Sequence, residues 1–270
     1  MKLEILLSCM NQKDMSIVAE SGISGNVLII NQTNQNASLD EWKDAQHIRM
    51  ISTTERGLSR SRNMAIQNSG ADICLLSDDD ERFVDGYENI ITEAFQSLPD
   101  ADVIAFAVQN KVTRLKPQVQ KLTYLNCLKI ASYQIAFRRS SVLQKQVFFD
   151  PLMGAGSGNG CGEENKFLLD CLRSGMKLYY HPSVIAAIHP QASTWFFGYD
   201  REFFYQRGGA TRHMMGAIPS IFYGIYYLAR KRSLYHSTIS TGQAAVELFR
   251  GIRENPIGRQ MTEIKEKQNG

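Results

Sequence analysis

Short apolar runs, separated by polar and glycine-punctuated stretches, set the rhythm of the first 110 residues. Residues 3–8 and 26–30 read as buried strands, and 48–52 as a weaker third. A helix is predicted over 58–68, stopped by Gly70. Residues 71–77 form the most continuous strand pattern in the chain, and it runs straight into Asp78-Asp79-Asp80-Glu81. Residues 86–98 read as a helix closed by Pro99, and 103–108 as another strand. Alternating strands and helices imply an α/β fold: a mostly parallel sheet covered by helices, with right-handed crossovers. Ligands of such sheets bind at the carboxyl ends of the strands, and the acidic run lies at one of those ends.

The rhythm is lost over 111–150, where 132–138 is expected as a strand and 147–151 closes the segment. Glycines then occupy 154, 156, 158, 160 and 162, a density expected of a mobile loop or of a surface approached closely by another group. A helix over 163–174, ended by Gly175, and strands over 177–180 and 184–188 follow. From about residue 195 the chain is predicted to be helical, aromatic and basic.

Composition changes this picture in two ways. With 270 residues, 43% hydrophobic and 21% charged, the chain is neither disordered nor, lacking any apolar run of about 18 residues, polytopic. Its net charge of +3 hides a split: residues 201–270 carry 11 Lys and Arg against 5 Asp and Glu, so the first 200 residues are acidic overall. The split suggests two jobs, with an acidic domain over 1–200 and a basic helical region over 201–270. Within the latter, 214–229 is apolar and Tyr-rich, is interrupted by Pro219 and Gly224, and is followed by Arg230-Lys231-Arg232. It is too short to span a bilayer and suits either a membrane surface with anionic lipid or packing on the protein, including a homodimer contact. Five cysteines without a CxxC pair exclude a zinc framework or a disulfide scaffold and fit a reducing compartment. The first apolar run is too short for a signal peptide, so a cytoplasmic protein is expected, peripheral on the inner membrane face if the basic region meets lipid. No helix-turn-helix, RRM or zinc pattern occurs, and no nucleic-acid partner is expected.

Four places could carry chemistry. Asp78, Asp79 and Asp80 repel one another unless a cation or water offsets them; they suit a hard divalent ion such as Mn²⁺ or Mg²⁺, or else form a solvated acidic turn. Residues 54–63 place Arg56, Arg60 and Arg62 at a helix start, where phosphate is attracted, although a solvated basic face is the plainer alternative. Glu163 and Glu164 open a helix after the glycine loop, as caps or as a general base. His189 could be a metal ligand or a structural residue, and Trp195 a stacking platform or a core residue.

Taken in order, these stretches resemble family 2 glycosyltransferases of the GT-A fold, with a C-terminal helical extension, as in members that build bacterial polysaccharides. Gly57-Leu58-Ser59-Arg60-Ser61-Arg62-Asn63 is similar to the family's Gly…Ala-Arg-Asn helix start, with Ser61 in place of Ala. Leu75-Leu76-Ser77-Asp78-Asp79-Asp80 resembles the strand ending in the DxD motif. Glu163-Glu164 resembles the late Glu-Asp motif, with Glu in place of Asp. Residues 175–189 and Arg207-Gly208-Gly209 also look like the family, and Asn31 stands where members often carry an acidic residue for the nucleotide base.

The resemblance implies inverting transfer from a nucleotide-diphospho sugar, with a UDP-sugar favoured, to a saccharide or lipid-linked acceptor. It implies Ser8, Asn11, Asn31, Arg62, Asp78 and Asp79 on the donor side. Asp80, with Asp78 and His189, would bind Mn²⁺ or Mg²⁺. Glu164, or else Glu163, would be the base, and Trp195, Gly160 and Cys161 would lie toward the acceptor. Two rivals remain. A sugar nucleotidyltransferase usually carries a glycine-rich basic loop after its first strand, and residues 8–13 here hold no glycine. A non-catalytic nucleotide-sugar-binding module would bind donor without turnover.

Overall fold

In the computed structural model, residues 1–110, 115–159, 162–188 and 198–269 are described. The chain forms two compact units, Met1–Phe149 with Phe167–Gln191, and Asp150–Lys166 with Ala192–Gly270.

The first unit is built on β1 (Leu3–Met10), α1 (Ile17–Glu20), β2 (Asn26–Gln32), β3 (Ala37–Lys43), β4 (Gln46–Thr53), α2 (Leu58–Asn68), β5 (Ile73–Asp78), β6 (Glu81–Phe83), α3 (Tyr87–Ser97), β7 (Val103–Gln109), β8 (Gln120–Lys121), β9 (Ile135–Arg138) and α4 (Arg139–Lys145). Helix α5 (Glu163–Arg173) and strand β10 (Leu178–Ile188) follow. The sheet order is β3-β4-β2-β1-β5-β9-β7-β10-β6, with β8 paired to β10. Strands β4, β2, β1 and β5 are mutually parallel. Strand β9 is antiparallel to β5 and β7 and interrupts the parallel order. Strands β1 and β2 are buried on both faces, which is why they read as continuous apolar runs rather than as alternating ones.

Where pattern and structure differ, the reasons are local. Strand β3, Ala-Ser-Leu-Asp-Glu-Trp-Lys, is exposed along its whole length, so it carries no hydrophobic signal. It is an antiparallel edge strand blunted by charge, with Trp42 stacked on His47 at 4.2 Å. The two strands expected over 177–188 are one strand, whose register slips between His181 and Val184, around Pro182. The strand expected over 132–138 begins as a 3₁₀ turn and becomes extended only at Ile135. Cys9, Cys74, Cys127 and Cys171 are buried and free, and burial pushes the first three thiols up to about 12.

The second unit contains α6 (Arg201–Met215), α7 (Ala217–Arg230), α8 (Arg232–Tyr235), α9 (Thr241–Glu254) and α10 (Pro256–Asn269). Its core gathers Phe204, Tyr227, Leu228, Tyr235, Ile239, Ala244, Leu248 and Ile252. Asp200 caps α6 by accepting from the Phe203 N–H at 2.8 Å, and Ser240 caps α9 from Gln243. Glycine lets α6 and α9 touch backbone to backbone. A Cβ on Gly208 would collide with the Leu248 carbonyl, and one on Gly251 with the Tyr205 carbonyl. Arg207 lies over the Phe203 and Tyr227 rings at 5.3 and 5.0 Å, so Arg207-Gly208-Gly209 is a packing motif of this unit. Among the described residues no helix is long and apolar enough to cross a membrane.

Candidate active site

The chain leaves β1, builds β2, β3 and β4 on one side, and returns to β5 on the other side of β1. That reversal is a switch point, and open α/β sheets receive ligands outside the carboxyl ends of the strands at such a point, here β1 and β5. Register places Ser8 opposite both Ile30 and Asp78, and Cys9 opposite Asn31. Ser8 and Asp78 therefore sit side by side on one face at the ends of β1 and β5, while Asn31, one position on, turns to the other face beside Cys9.

Helix α2 supplies the basic partner. Arg62 is only 1% exposed, and its Nη2 donates to both Asp78 carboxylate oxygens at 2.9 and 3.2 Å. Its guanidinium lies 5.4 Å from the Phe149 ring centroid. Asn63 holds Phe149 in place through paired 2.8 Å bonds to its backbone N–H and C=O. Ser132 donates to Asp78 Oδ2 at 3.1 Å, and the Ser61 and Ser8 hydroxyls meet at 2.8 Å. The other two arginines do different work. Arg56 ties the ends of β2 and β4 through Thr33, Asn34 and Thr53, and Arg60 pairs with Glu55 at the surface.

Asn31 is buried and committed to the backbone. Its Oδ1 accepts from the Gln12 N–H at 2.9 Å, and its Nδ2 donates to the Gln12 carbonyl at 2.8 Å and to Ser52 at 3.3 Å. Beside it, Gln32 accepts from the Gly57 N–H at 2.7 Å, anchoring the start of α2, where Gly57 has φ +116°. Asn11 is exposed with φ 55°, and its N–H donates to the Gln32 carbonyl at 3.1 Å. The segment after β1 is thus held by the Asn31 side chain and the Gln32 carbonyl of β2.

The acidic run is not a simple solvated turn. Asp78 ends β5, Asp79 and Asp80 make the turn, and Glu81 begins β6 fully buried. Glu81 accepts from the Asp78 N–H at 3.0 Å and from Ser77 at 3.2 Å. Burial, followed by the Asp78 charge, raises the Glu81 carboxyl well above its ordinary range and also lifts Asp79. Among the described residues no three His, Cys, Asp or Glu side chains converge as a metal cage. A nucleotide-bound Mg²⁺ or Mn²⁺ needs only one or two carboxylates, because phosphates and water complete its shell. The donors here are all oxygen, and the mutual repulsion of the run is the condition a cation relieves, so the residues fit such an ion.

The second unit carries the other sequence candidates. Asp150–Lys166 begins with a turn tied by its own hydrogen bonds: Gly154 N–H to Asn159 O, Ser157 to Gly154 O, and Asn159 Nδ2 to Leu152 O. Gly162 has φ +89°, and a Cβ there would lie 3.1 Å from Met214 Sδ. Glu163 is buried at the start of α5, whereas Glu164 is half-buried and accepts from Asn165 Nδ2 at 2.6 Å. The His213 ring and the Asp150 carboxylate, both nearly buried, meet at 2.6 Å. His189, Trp195, Gly160 and Cys161 lie outside the described residues.

Sequence reasoning did not find Glu81, Gln32, Ser132 or the Asp150–His213 pair. The last two depend on contacts 54 and 63 residues apart, which no local pattern encodes. Ser61 carried a faint signal as a departure from the resembled motif, and its bond to Ser8 gives that departure a structural role.

A largely parallel sheet with polar residues at the strand ends of its switch point, an acidic turn after the central strand and a helical C-terminal region define a GT-A-type α/β protein. The model of glycosyl transferase family 2 matches residues 6–155, more than half of the chain, and the chain belongs to that family. No curated relative matches it. Similar solved structures include Staphylococcus aureus TarS 1–349 in complex with UDP, at 12% identity and TM-score 0.57, and the same fragment in complex with UDP-GlcNAc, at 11% and 0.60. Each alignment covers 88% of this chain and 74% of the other. Against the longer TarS structure the TM-score is 0.57 at 11% identity, covering 86% of this chain and 44% of that one. At such identities the likeness is one of fold.

Proposed function

We propose that this chain is an inverting glycosyltransferase. It moves a sugar from a nucleotide-diphospho-sugar donor to a hydroxyl of a saccharide or lipid-linked saccharide in cell-surface polysaccharide synthesis. The observation that carries the reading is Asp78 at the carboxyl end of β5, beside Ser8 of β1 and held by buried Arg62. Family membership supports the reaction class, and the UDP and UDP-GlcNAc complexes of TarS support a uridine donor.

In this reading Ser8, Asn11 and the backbone ordered by Asn31 receive the nucleoside. Arg62 fixes the rotamer of Asp78, so that this carboxylate orients the donor without swinging toward its phosphates, with Asp79 beside it. Asp80 would hold Mg²⁺ or Mn²⁺, with His189 as the sequence candidate for a further ligand. A bound cation supplies charge neutralisation for the departing nucleoside diphosphate. Glu164, less buried than Glu163, takes the proton of the acceptor hydroxyl. The hydroxyl oxygen bonds to the anomeric carbon as the bond to the diphosphate oxygen breaks on the opposite face.

The test is a melting-temperature series with UDP-, GDP-, CDP- and dTDP-sugars, with and without Mn²⁺, followed by NMR of the product formed from the best donor. A donor at 100 times its Kd stabilises the folded state by about 2.7 kcal/mol. A Mn²⁺-dependent shift with a UDP-sugar and a product of inverted configuration are expected. No shift with any donor would overturn the reading, and a retained configuration would overturn the mechanism.

A further inference from the structure

Helix α7 presents its apolar residues outward. Its inner face is Ser220, Gly224, Tyr227 and Leu228, small enough at Gly224 that a Cβ there would lie 2.6 Å from Leu248. Its outer face carries Ile218 and Phe222 at 69% exposure, Tyr226 at 57%, Ile225 at 54% and Ile221 at 42%. These positions recur at three- and four-residue steps, so they form one stripe along the helix. The stripe ends at Arg230 and Arg232, both exposed, with Leu234 exposed just beyond them.

Charge indicates what covers the stripe. Between Glu202 and Glu247 the sequence holds five Lys or Arg and no Asp or Glu. A second copy docked on this face would bring like charges together with no carboxylate from this stretch to offset them. An anionic lipid surface offers both complements, acyl chains for the stripe and phosphate for the arginines. Fourteen residues of helix measure about 21 Å, a length suited to lying in the interface rather than crossing it.

We propose that α7 is a monotopic membrane anchor, its Ile218–Phe222–Ile225–Tyr226 stripe seated among the acyl chains of an anionic leaflet and Arg230 and Arg232 at the headgroup phosphates. Membrane docking by α7 does not depend on the transfer chemistry.

The test is co-sedimentation of the full chain with phosphatidylcholine vesicles, with and without phosphatidylglycerol, at low and high salt. Binding to the phosphatidylglycerol vesicles, weakened by salt, is expected. Arg230→Gln with Arg232→Gln should weaken it about 25-fold at low salt, at about fivefold for each arginine near the surface. Phe222→Glu with Ile225→Glu should weaken it at least about tenfold under all salt conditions. Both positions are exposed, so an unchanged melting temperature is expected and separates lost docking from lost folding. Absence of vesicle binding, or equal binding by the wild type and the double-Glu variant, would overturn the proposal. So would a wild-type dimer in sedimentation velocity that the double-Glu variant dissolves, because the face would then belong to a second copy.

Discussion

The two units solve the problem of close approach in opposite ways. In the first, polar groups meet because parallel strands pair in register: Ser8 of β1 lies opposite Asp78, the last residue of β5, and Asn31 of β2 lies opposite Cys9 one position on. In the second, helices meet because side chains are missing: Gly208 and Gly251 let α6 and α9 touch through their backbones. The first arrangement is set by topology and tolerates changes of side chain, provided that the buried charge at Asp78 keeps its partner. The second is set by the absence of a methyl group and tolerates almost no addition.

The sharpest way to break this comparison is Arg62→Ala. It removes a guanidinium that is almost wholly buried and leaves Asp78 with Ser132 as its remaining side-chain partner. Stranding a buried charge typically costs 3–5 kcal/mol; with Asp78 about a quarter exposed, about 3 kcal/mol is expected. The check is a chemical denaturation curve, in which a loss below about 1 kcal/mol would mean that the end of β5 does not rely on this ion pair. Arg62→Lys should recover only part of the loss, because an ammonium cannot reproduce the planar fork.

Next in size is Glu164→Gln, which separates the units by function. Turnover should fall about 10²-fold, while the donor-induced melting shift, assigned to the first unit, is retained. If Glu163→Gln has this effect and Glu164→Gln does not, the base is the buried neighbour.

How far the sequence revealed each unit follows from the same contrast. Strands buried on both faces announce themselves as apolar runs, so β1, β2, β5 and β7 were legible to within two residues. The acidic turn and the Arg62 helix were legible because charge at a strand end or a helix start is conspicuous. Strand β3 was not, because an exposed charged edge has no period to read. The state of Asn31 was not either: whether an amide faces a ligand or the chain depends on Gln12, and only the fold brings them to 2.9 Å. That contact also explains an amide at this position, since a carboxylate could accept from the Gln12 N–H but would repel its carbonyl. In the second unit helices were expected, but Gly208 and Gly251 lie 43 positions apart, and their meeting leaves no local trace.

The glycine contact supplies the third test. Gly251→Ala forces α6 and α9 apart, and overpacking of this kind costs about 2 kcal/mol. Gly242→Ala, on the same helix α9 but with nothing within 4 Å of the added Cβ, should be neutral or mildly stabilising. Equal melting temperatures for the two variants would show that the helices slide past each other, and that the second unit is no more tightly specified than the first.

The smallest expected effect concerns a charge in the second unit and asks whether it, too, holds its fold by an ion pair. Burial alone would raise the Asp150 carboxyl, but hydrogen bonds from His213 and from the Leu152 N–H outweigh it and hold the group below its ordinary range. A carboxyl with a lower pKa folded than unfolded contributes stability that is present above about pH 4 and lost as the pH falls through the folded value. His213→Gln keeps one donor and removes the ring, so it should cost about 1 kcal/mol at neutral pH. It should also shift the onset of acid unfolding upward, because the Asp150 carboxyl would then titrate at a higher pH. Melting temperature followed from pH 7 to pH 3 reads both effects. An acid limb identical in the two proteins would leave the second unit held by close packing alone, and the ion pair at Arg62 would then mark a real difference between the units.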